Sequence, residues 1–264
     1  MIRRAALVLI AAALVGGGES AGAAVARPAP VVFHKQSKRA EVELRLPKSL
    51  DAWPAFRDAL RTDDVAKLNG FVRAAENGGR QTRRNWRTIR YRLAGTTPRL
   101  VSVIRRDDRD TGGAHPLPSV AAVIWDQRTK RRLSMGALFR PDADLAPLDE
   151  ALCDAIKAAK SEREGAAPID DKAWRCPLFS QTSAALAPST VLGKAGGLVA
   201  LINPYEVGPF AEGLYQVVVP LEAFRKALRR PYLSEFAGAP SAAAEVLTEP
   251  DGAPRPAGKA GRLR

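Results

Sequence analysis

The stretch LVSVIRRDDRDTGGAHPLPSVAAVIW, Leu100–Trp125, decides the fold. It begins and ends with apolar runs of strand length, Leu100–Ile104 and Val120–Trp125. Between them lie a glycine pair and a proline. Glycine supplies the positive φ angles of a tight reversal, and proline keeps the preceding residue extended. The stretch therefore predicts two strands joined by a loop, as in an antiparallel sheet.

The loop contains His115, one of only two histidines in the chain. We interpret Gly112, Gly113, His115 and Pro116 as a structural reversal in which hydrogen bonds orient the imidazole. The alternative is a metal ligand or a catalytic base. Zinc would need two or three further ligands, and the other histidine, His34, lies in a predicted linker. We therefore expect no metal and no cofactor.

Upstream of this loop, strand and helix patterns alternate. Residues Glu41–Leu46 alternate strictly between polar and apolar and predict a half-buried strand. Two helices are predicted next. The first carries Pro54 in its opening turn, and the second begins at Thr62–Asp64 and ends at Asn77–Gly79. From Arg87 the period of two returns, so a further strand is expected there.

The N-terminus predicts export. The positive start MIRR is followed by the apolar run AALVLIAAALVGGG and by a small-residue cleavage signal that ends at Ala26. The apolar run is too short to span a bilayer comfortably, so a cleaved signal peptide is favoured over a retained anchor. Export to an oxidising space makes Cys153 and Cys176, the only cysteines, a predicted disulfide rather than two separate thiols.

The formal net charge is +13, and it becomes +12 when Arg3, Arg4 and Glu19 leave with the signal peptide. This balance favours anionic partners. Nucleic acid is not expected for an exported protein, whereas envelope polymers, glycans and lipid head groups are. Segment 80–110 holds ten arginines and three aspartates, and it is either an anion-binding surface or a solvated sheet face without a ligand. The candidate anion-binding residues are Arg83, Arg87, Arg90 and Arg92.

Downstream, Asp144 is placed to cap a helix whose apolar stripe includes Leu148, Leu152 and Ile156. A strand, a long loop, a strand and a helix opened by Pro220 follow. The loop from Pro204 to Gly213 is the best candidate binding loop because it combines two aromatic residues with two carboxylates. These candidate binding residues are Tyr205, Glu206, Phe210 and Glu212. A glycan-processing enzyme that uses Glu206 or Glu212 as its acid and base is one alternative.

Several of these motifs together resemble a known family. They are TGGAHP, the strand ending at Trp125-Asp126, Leu138-Phe139, NPYEVGPFAEG and YQVVVP. The combination resembles the bacterial envelope domain of unknown function 3298 with its usual N-terminal companion region, over about residues 39–236. The family is similar to the extracellular region of the lysozyme-sensing anti-sigma factor RsiV and to the non-catalytic region of the deacetylase PdaC. This resemblance implies an α+β domain that binds without catalysis, and it supplies no catalytic residue.

The expected protein is a monomeric α+β module, an antiparallel sheet with helices packed against it. The predicted organisation is a signal peptide over 1–26, a linker over 27–38, the companion region over 39–110, the GGAHP-containing domain over 111–236 and a flexible tail over 237–264. The expected function is non-catalytic binding of an anionic envelope polymer or glycan in the periplasm or outside the cell. A secreted sensor or inhibitor of lysozyme-like enzymes is the other alternative.

Overall fold

The structure, a computed structural model, describes residues 29–79, 83–170 and 172–246. Most of the chain forms two β-sheets with a long helix on each outer side. The strands are β1 Val31–Gln36, β2 Ala40–Arg45, β3 Asn85–Thr96, β4 Leu100–Asp110, β5 Leu117–Asp126, β6 Arg131–Leu133, β7 Ser183–Pro188, β8 Ala195–Ile202 and β9 Tyr215–Pro220. The helices are α1 Pro54–Asn77, α2 Ala146–Ser161 and the short α3 Ala242–Val246.

The first sheet has six strands in the order β1 to β6. Its neighbours are antiparallel except β2 and β3, which are parallel and are connected through α1. A parallel pair needs a crossover connection, and the helix supplies it. The buried side chains Phe56, Leu60 and Leu68 of α1 join Ile89 and Val101 of the sheet in one apolar core. This core fixes α1 on one face of the sheet.

The second sheet, β7-β8-β9, is antiparallel and packs against the other face of the first. Val199 and Leu201 of β8 face the first sheet, while Leu198 and Ala200 belong to the core under α2. Because both of its faces are covered, every residue of β8 is buried. The continuous apolar run AGGLVALI therefore satisfies two cores at once.

The contact between the sheets is close at Gly95 of β3. A Cβ at this position would lie 2.7 Å from the carbonyl oxygen of Leu186 on β7, so only glycine fits without displacing the backbone. Buried hydrogen bonds complete the contact, because the Ser102 hydroxyl accepts the Leu186 N–H at 2.9 Å and the Ser183 hydroxyl accepts the Ala122 N–H at 2.7 Å. The two sheets thus form one layered body.

Helix α2 agrees with the sequence analysis. The Asp144 carboxylate accepts the Ala146 N–H at 2.9 Å, and Leu148, Leu152 and Ile156 are fully buried. The predicted disulfide between Cys153 of α2 and Cys176 is present, with the two Cα atoms 5.3 Å apart. The α+β class, with a mostly antiparallel sheet and packed helices, is confirmed.

The prediction of two helices before β3 is wrong, because α1 runs unbroken from Pro54 to Asn77. The acidic pair at Asp63-Asp64 resembled a helix start. Asp64 is instead fully buried in mid-helix, where its carboxylate accepts hydrogen bonds from Tyr91 at 2.6 Å and from Arg105 at 3.1 Å. A residue that appeared to cap a helix therefore joins α1 to the sheet.

Three other boundaries also differ. The predicted linker contains β1, which pairs with β2. The helix expected after Pro220 is a series of 3-10 turns at Leu221–Ala223, Arg225–Ala227 and Arg230–Glu235. Its expected inward residues Leu221, Phe224 and Leu228 are nevertheless buried. The first part of the predicted tail, residues 237–246, continues the fold, since Pro240 forms a β-bridge with Ser189.

The predicted signal peptide and residues 247–264 of the predicted tail lie outside the described residues. Among the described helices, none combines the length and apolar character that a membrane crossing requires.

Candidate functional site

The loop between β4 and β5 is held by its own aspartate and by an arginine that precedes β3. The Asp110 carboxylate accepts the Gly112 N–H at 2.8 Å and the Arg83 guanidinium at 3.1 Å. Arg83 also donates to the Gly113 carbonyl at 2.9 Å. Gly112 has a φ of +89°, which favours glycine, whereas Gly113 lies outside the positive region. The expected reversal is therefore built around Gly112.

The imidazole of His115 meets the second candidate loop. It stacks on the Phe210 ring with a centroid separation of 3.6 Å and an interplanar angle of 21°. Tyr205 continues this row, its ring centroid lying 5.6 Å from that of Phe210. We refer to His115, Tyr205 and Phe210 as the aromatic surface. It brings together the two loops that the sequence analysis singled out separately.

The sequence analysis expected hydrogen bonds to orient His115, and the structure adds the stacking contact with Phe210. The Nδ1 atom lies 3.2 Å from the Pro116 carbonyl oxygen, so a polar contact accompanies the stacking. In the part of the chain that the structure describes, no three His, Cys, Asp or Glu side chains converge as a metal site requires.

Tyr205 occupies the third position of a tight turn formed by Asn203–Glu206. The Glu206 N–H donates to the Asn203 carbonyl at 3.2 Å, and Pro204 stands second. Tyr205 has a φ of +71°, a conformation that glycine or asparagine usually supplies in such turns. Tyr205 is nevertheless 56 % exposed, so burial in a core does not explain why an aromatic residue occupies this place.

Glu206 stabilises this turn from its end. Its two carboxylate oxygens accept the Asn203 backbone N–H and side-chain amide, each at 3.0 Å. The other side-chain atom of the amide, Asn203 Oδ1, accepts the Val120 N–H of β5 at 2.7 Å. This network compensates the unfavourable backbone of Tyr205 and fixes its position relative to the first sheet.

Glu212, at the far end of the loop, points into the protein. Its carboxylate pairs with Lys160 of α2, and these side chains are only 7 % and 5 % exposed. It also accepts hydrogen bonds from the Tyr215 hydroxyl at 2.6 Å and the Ala167 N–H at 2.8 Å. Burial raises the pKa of Glu212, but the Lys160 and Tyr215 hydrogen bonds outweigh it, and the net shift is downward. The carboxylate is therefore ionised and structurally engaged.

A shallow cleft of about 510 Å³ opens beside Tyr205 and Glu206. Its lining also includes Lys172, Trp174 and Arg175 from the segment attached to α2 by the disulfide. Aromatic side chains with a few polar groups form the usual lining of a small-molecule site. Trp174 and Lys160 were missed as functional or supporting residues. Lys160 does continue the buried stripe of α2, four residues after Ile156, which is a signal in the sequence.

The arginines proposed as an anion-binding face are all paired. Most of their partners are aspartates on β4, the neighbouring strand, which lies within reach of diagonal cross-strand contacts. Each of the four candidate arginines thus has a partner within the fold, although the segment keeps more arginines than aspartates. The pairs are Arg83–Asp110, Arg87–Asp107, Arg90–Asp108 and Arg92–Gln216, with N···O distances of 3.1, 2.6, 2.5 and 3.0 Å.

One family of known proteins matches the segment that contains α2, the second sheet and the Tyr205 loop. Residues 137–222 match DUF3298, described as a protein of unknown function. The match includes Tyr205 and Phe210 but ends before Arg225, and it does not reach back to His115. No curated protein sequence matches the chain.

Two solved structures share the fold over most of the chain. One is a DUF3298 family protein from Pseudomonas aeruginosa PAO1, 15 % identical, with a TM-score of 0.53 over 80 % of this chain and 98 % of that one. The other is a DUF3298 family member from Bacteroides fragilis NCTC 9343, 13 % identical, with a TM-score of 0.51 over 78 % and 95 %. The similarity extends beyond the matched segment, and at these identities it concerns the fold alone.

Proposed function

We propose that this protein is an exported, non-catalytic binding module of the cell envelope whose ligand is an acidic glycan polymer. The conformation of Tyr205 carries the proposal. A non-glycine residue in the left-handed region costs about 1 kcal/mol or more, and such strain persists mainly where function requires it. Here the strained residue is an exposed tyrosine that contacts the Phe210 ring and lines an open cleft.

The surroundings of Tyr205 suit a sugar chain. Tyrosine and tryptophan present flat apolar faces to a ligand and keep a polar edge for hydrogen bonding. Tyr205 and Trp174 supply such faces in the cleft, while Lys172 and Arg175 supply positive charge for carboxylate or phosphate groups. The net charge of +12 expected after signal-peptide removal adds a long-range attraction for such anionic groups.

Binding is favoured over hydrolysis by the carboxylates. A glycosidase needs a carboxylic acid of raised pKa as its proton donor. The pKa of Glu212 is shifted in the opposite direction, and Glu206 is occupied with the turn at Asn203. The predicted signal peptide supports export from the cytoplasm. The resemblance to the extracellular region of RsiV and the non-catalytic region of PdaC also supports a module that binds without catalysis.

The test compares Tyr205→Gly with Leu192→Gly in co-sedimentation with purified peptidoglycan. Leu192 is 99 % exposed on another loop, so both changes remove an exposed side chain and add a glycine. Loss of an aromatic contact at an interface centre costs about 2 kcal/mol, or roughly 30-fold in affinity. We expect this loss for Tyr205→Gly alone, with stability unchanged or raised by about 1 kcal/mol because the strain is relieved.

The other outcomes are also decisive. Equal binding by both variants would disprove the role of Tyr205. Release of soluble sugar fragments, abolished by Glu206→Gln, would replace the proposal by the glycan-processing enzyme. Tight binding of a lysozyme-like enzyme without binding of peptidoglycan would replace it by the sensor or inhibitor.

A further inference from the structure

A second cleft, of about 630 Å³, lies between the segment after β6 and the 3-10 turns that follow β9. It shares no lining residue with the cleft beside Tyr205. Its polar lining is entirely cationic, and an apolar rim contains Pro141, Pro231 and Leu233. We call it the basic cleft. The five cationic residues that line it are Arg140, Arg225, Lys226, Arg229 and Arg230.

The backbone holds these side chains outward. Phe139 and Leu228 form an antiparallel β-bridge in which both side chains are buried. On either side of this bridge, the Arg140 N–H donates to the Ala227 carbonyl and the Arg229 N–H donates to the Leu138 carbonyl, each at 2.9 Å. Arg140 and Arg229 are thus fixed next to buried residues, with their own side chains exposed.

The following turns are anchored as firmly. Phe224 and Tyr232 are buried in the core, and the Tyr232 hydroxyl donates to Asp126 at 3.3 Å. Arg99 lies over the Tyr232 ring at 4.6 Å and donates to the Pro231 carbonyl at 3.2 Å. The positive side chains therefore extend from a rigid base, which lowers the entropic cost of binding a ligand.

Among the residues that the structure describes, no carboxylate pairs with the cations of the basic cleft. Its five cations have no ion pair within the described residues, unlike the arginines of β3. The nearby acids are engaged elsewhere: Asp126 pairs with Arg99 at 2.7 Å, and Glu235 accepts hydrogen bonds from the Thr97 hydroxyl and the Arg99 N–H. Asp142 and Glu222, which flank the two segments in sequence, do not line the cleft.

We propose that the basic cleft binds phosphate groups. Guanidinium groups donate in a planar fork that fits the oxygens of phosphate, and several of them together match an anion that carries up to two charges. Sources of this chemistry include a free phosphate or oligophosphate and a phospholipid headgroup. Leu233, 41 % exposed at the rim, would contact the acyl region in the second case only. The proposal does not depend on the aromatic surface, so each can fail alone.

The experiment measures binding of inorganic pyrophosphate to the full chain by calorimetry at low salt. It compares Arg229→Gln/Arg230→Gln with Arg61→Gln/Arg128→Gln, which removes the same charge from exposed positions outside the basic cleft. We expect the first pair to weaken binding at least tenfold and the control pair less than twofold. Absence of binding by the parent protein, or equal loss in both pairs, would overturn the proposal. If the first pair unfolds, Arg140→Gln/Lys226→Gln gives the same comparison.

Vesicles of phosphatidylglycerol and of phosphatidylcholine distinguish the sources. A lipid headgroup predicts binding to the anionic vesicles that falls several-fold in Leu233→Ser, while pyrophosphate binding is unchanged. A free phosphate predicts that Leu233→Ser alters neither. Either result supports the phosphate site if the tenfold effect of the arginine pair is present.

Discussion

The Lys160–Glu212 pair allows a quantitative test of what positions the Tyr205 loop. Glu212→Gln would leave the buried ammonium of Lys160 without a counter-charge, beside a neutral amide, the Val207 carbonyl at 2.7 Å and the Tyr215 ring at 5.3 Å. Removal of one partner from a buried pair costs about 3 kcal/mol or more, because the other charge stays desolvated. Lys160→Met should cost a similar amount, since it leaves the Glu212 carboxylate buried.

The double variant Lys160→Met/Glu212→Gln removes both charges and keeps an acceptor oxygen for the Tyr215 hydroxyl, so it should recover most of this loss. With a urea m-value of about 2 kcal/mol/M, each single change lowers the unfolding midpoint by about 1.5 M. Fluorescence-monitored urea unfolding of the four proteins measures the coupling. Single variants within about 0.5 kcal/mol of the parent, or a double variant less stable than both singles, would refute this reasoning.

Three further predictions concern stability. Gly112→Val should cost more than about 1 kcal/mol in thermal unfolding because of its positive φ, whereas Gly113→Val, where an added Cβ meets no atom within 4 Å, should cost less; equal costs would contradict this. Reduction of the disulfide, which spans 23 residues, should lower the free energy of unfolding by about 3 kcal/mol on the chain-entropy model, with Cys153→Ala/Cys176→Ala insensitive to reductant. Burial raises the pKa of Asp64, but interactions led by those with Arg105 lower it by more, so the net shift is downward. The stabilisation that Asp64 contributes is therefore present above the ordinary carboxyl pKa of about 4 and is lost as pH falls through the lower folded value. Asp64→Asn should flatten this dependence of the free energy of unfolding on pH.

The sequence pattern predicted the parts of the fold that depend on local periodicity. The strands around His115, the capped helix with Leu148 and Leu152, and the inward residues after Pro220 all follow from spacing. The unbroken helix α1 could not be predicted in this way. The sequence does not distinguish an aspartate that caps a helix from one that binds an arginine on a distant strand. Only the position of Arg105 on β4, 41 residues after Asp64, distinguishes them.

The candidate site likewise combines features that are local in the sequence with features that depend on the fold. Tyr205, Phe210 and His115 were each identified as notable, because turn residues and exposed aromatics can be recognised locally. Their meeting depends on how β4, β5 and the second sheet are arranged, as does the engagement of Glu212 with Lys160. The sequence analysis could therefore nominate residues of the site, but the fold was needed to separate those that face outward from those that support it.

The placement of charge was the hardest feature to predict, and it now decides where an anion should bind. The segment 80–110 contains ten arginines, yet Arg87 and Arg90 are matched by aspartates that follow on the next strand. The segment Arg225–Arg230, RKALRR, has only four cations but no acid within it, and its turns keep them clear of the nearest carboxylates. Attraction for an anion depends on charge that has no ion-pair partner after folding, so we expect the shorter segment to bind phosphate more strongly. Substitution of Arg87 and Arg90 should accordingly reduce stability more than phosphate affinity, whereas substitution of Arg229 and Arg230 should do the reverse.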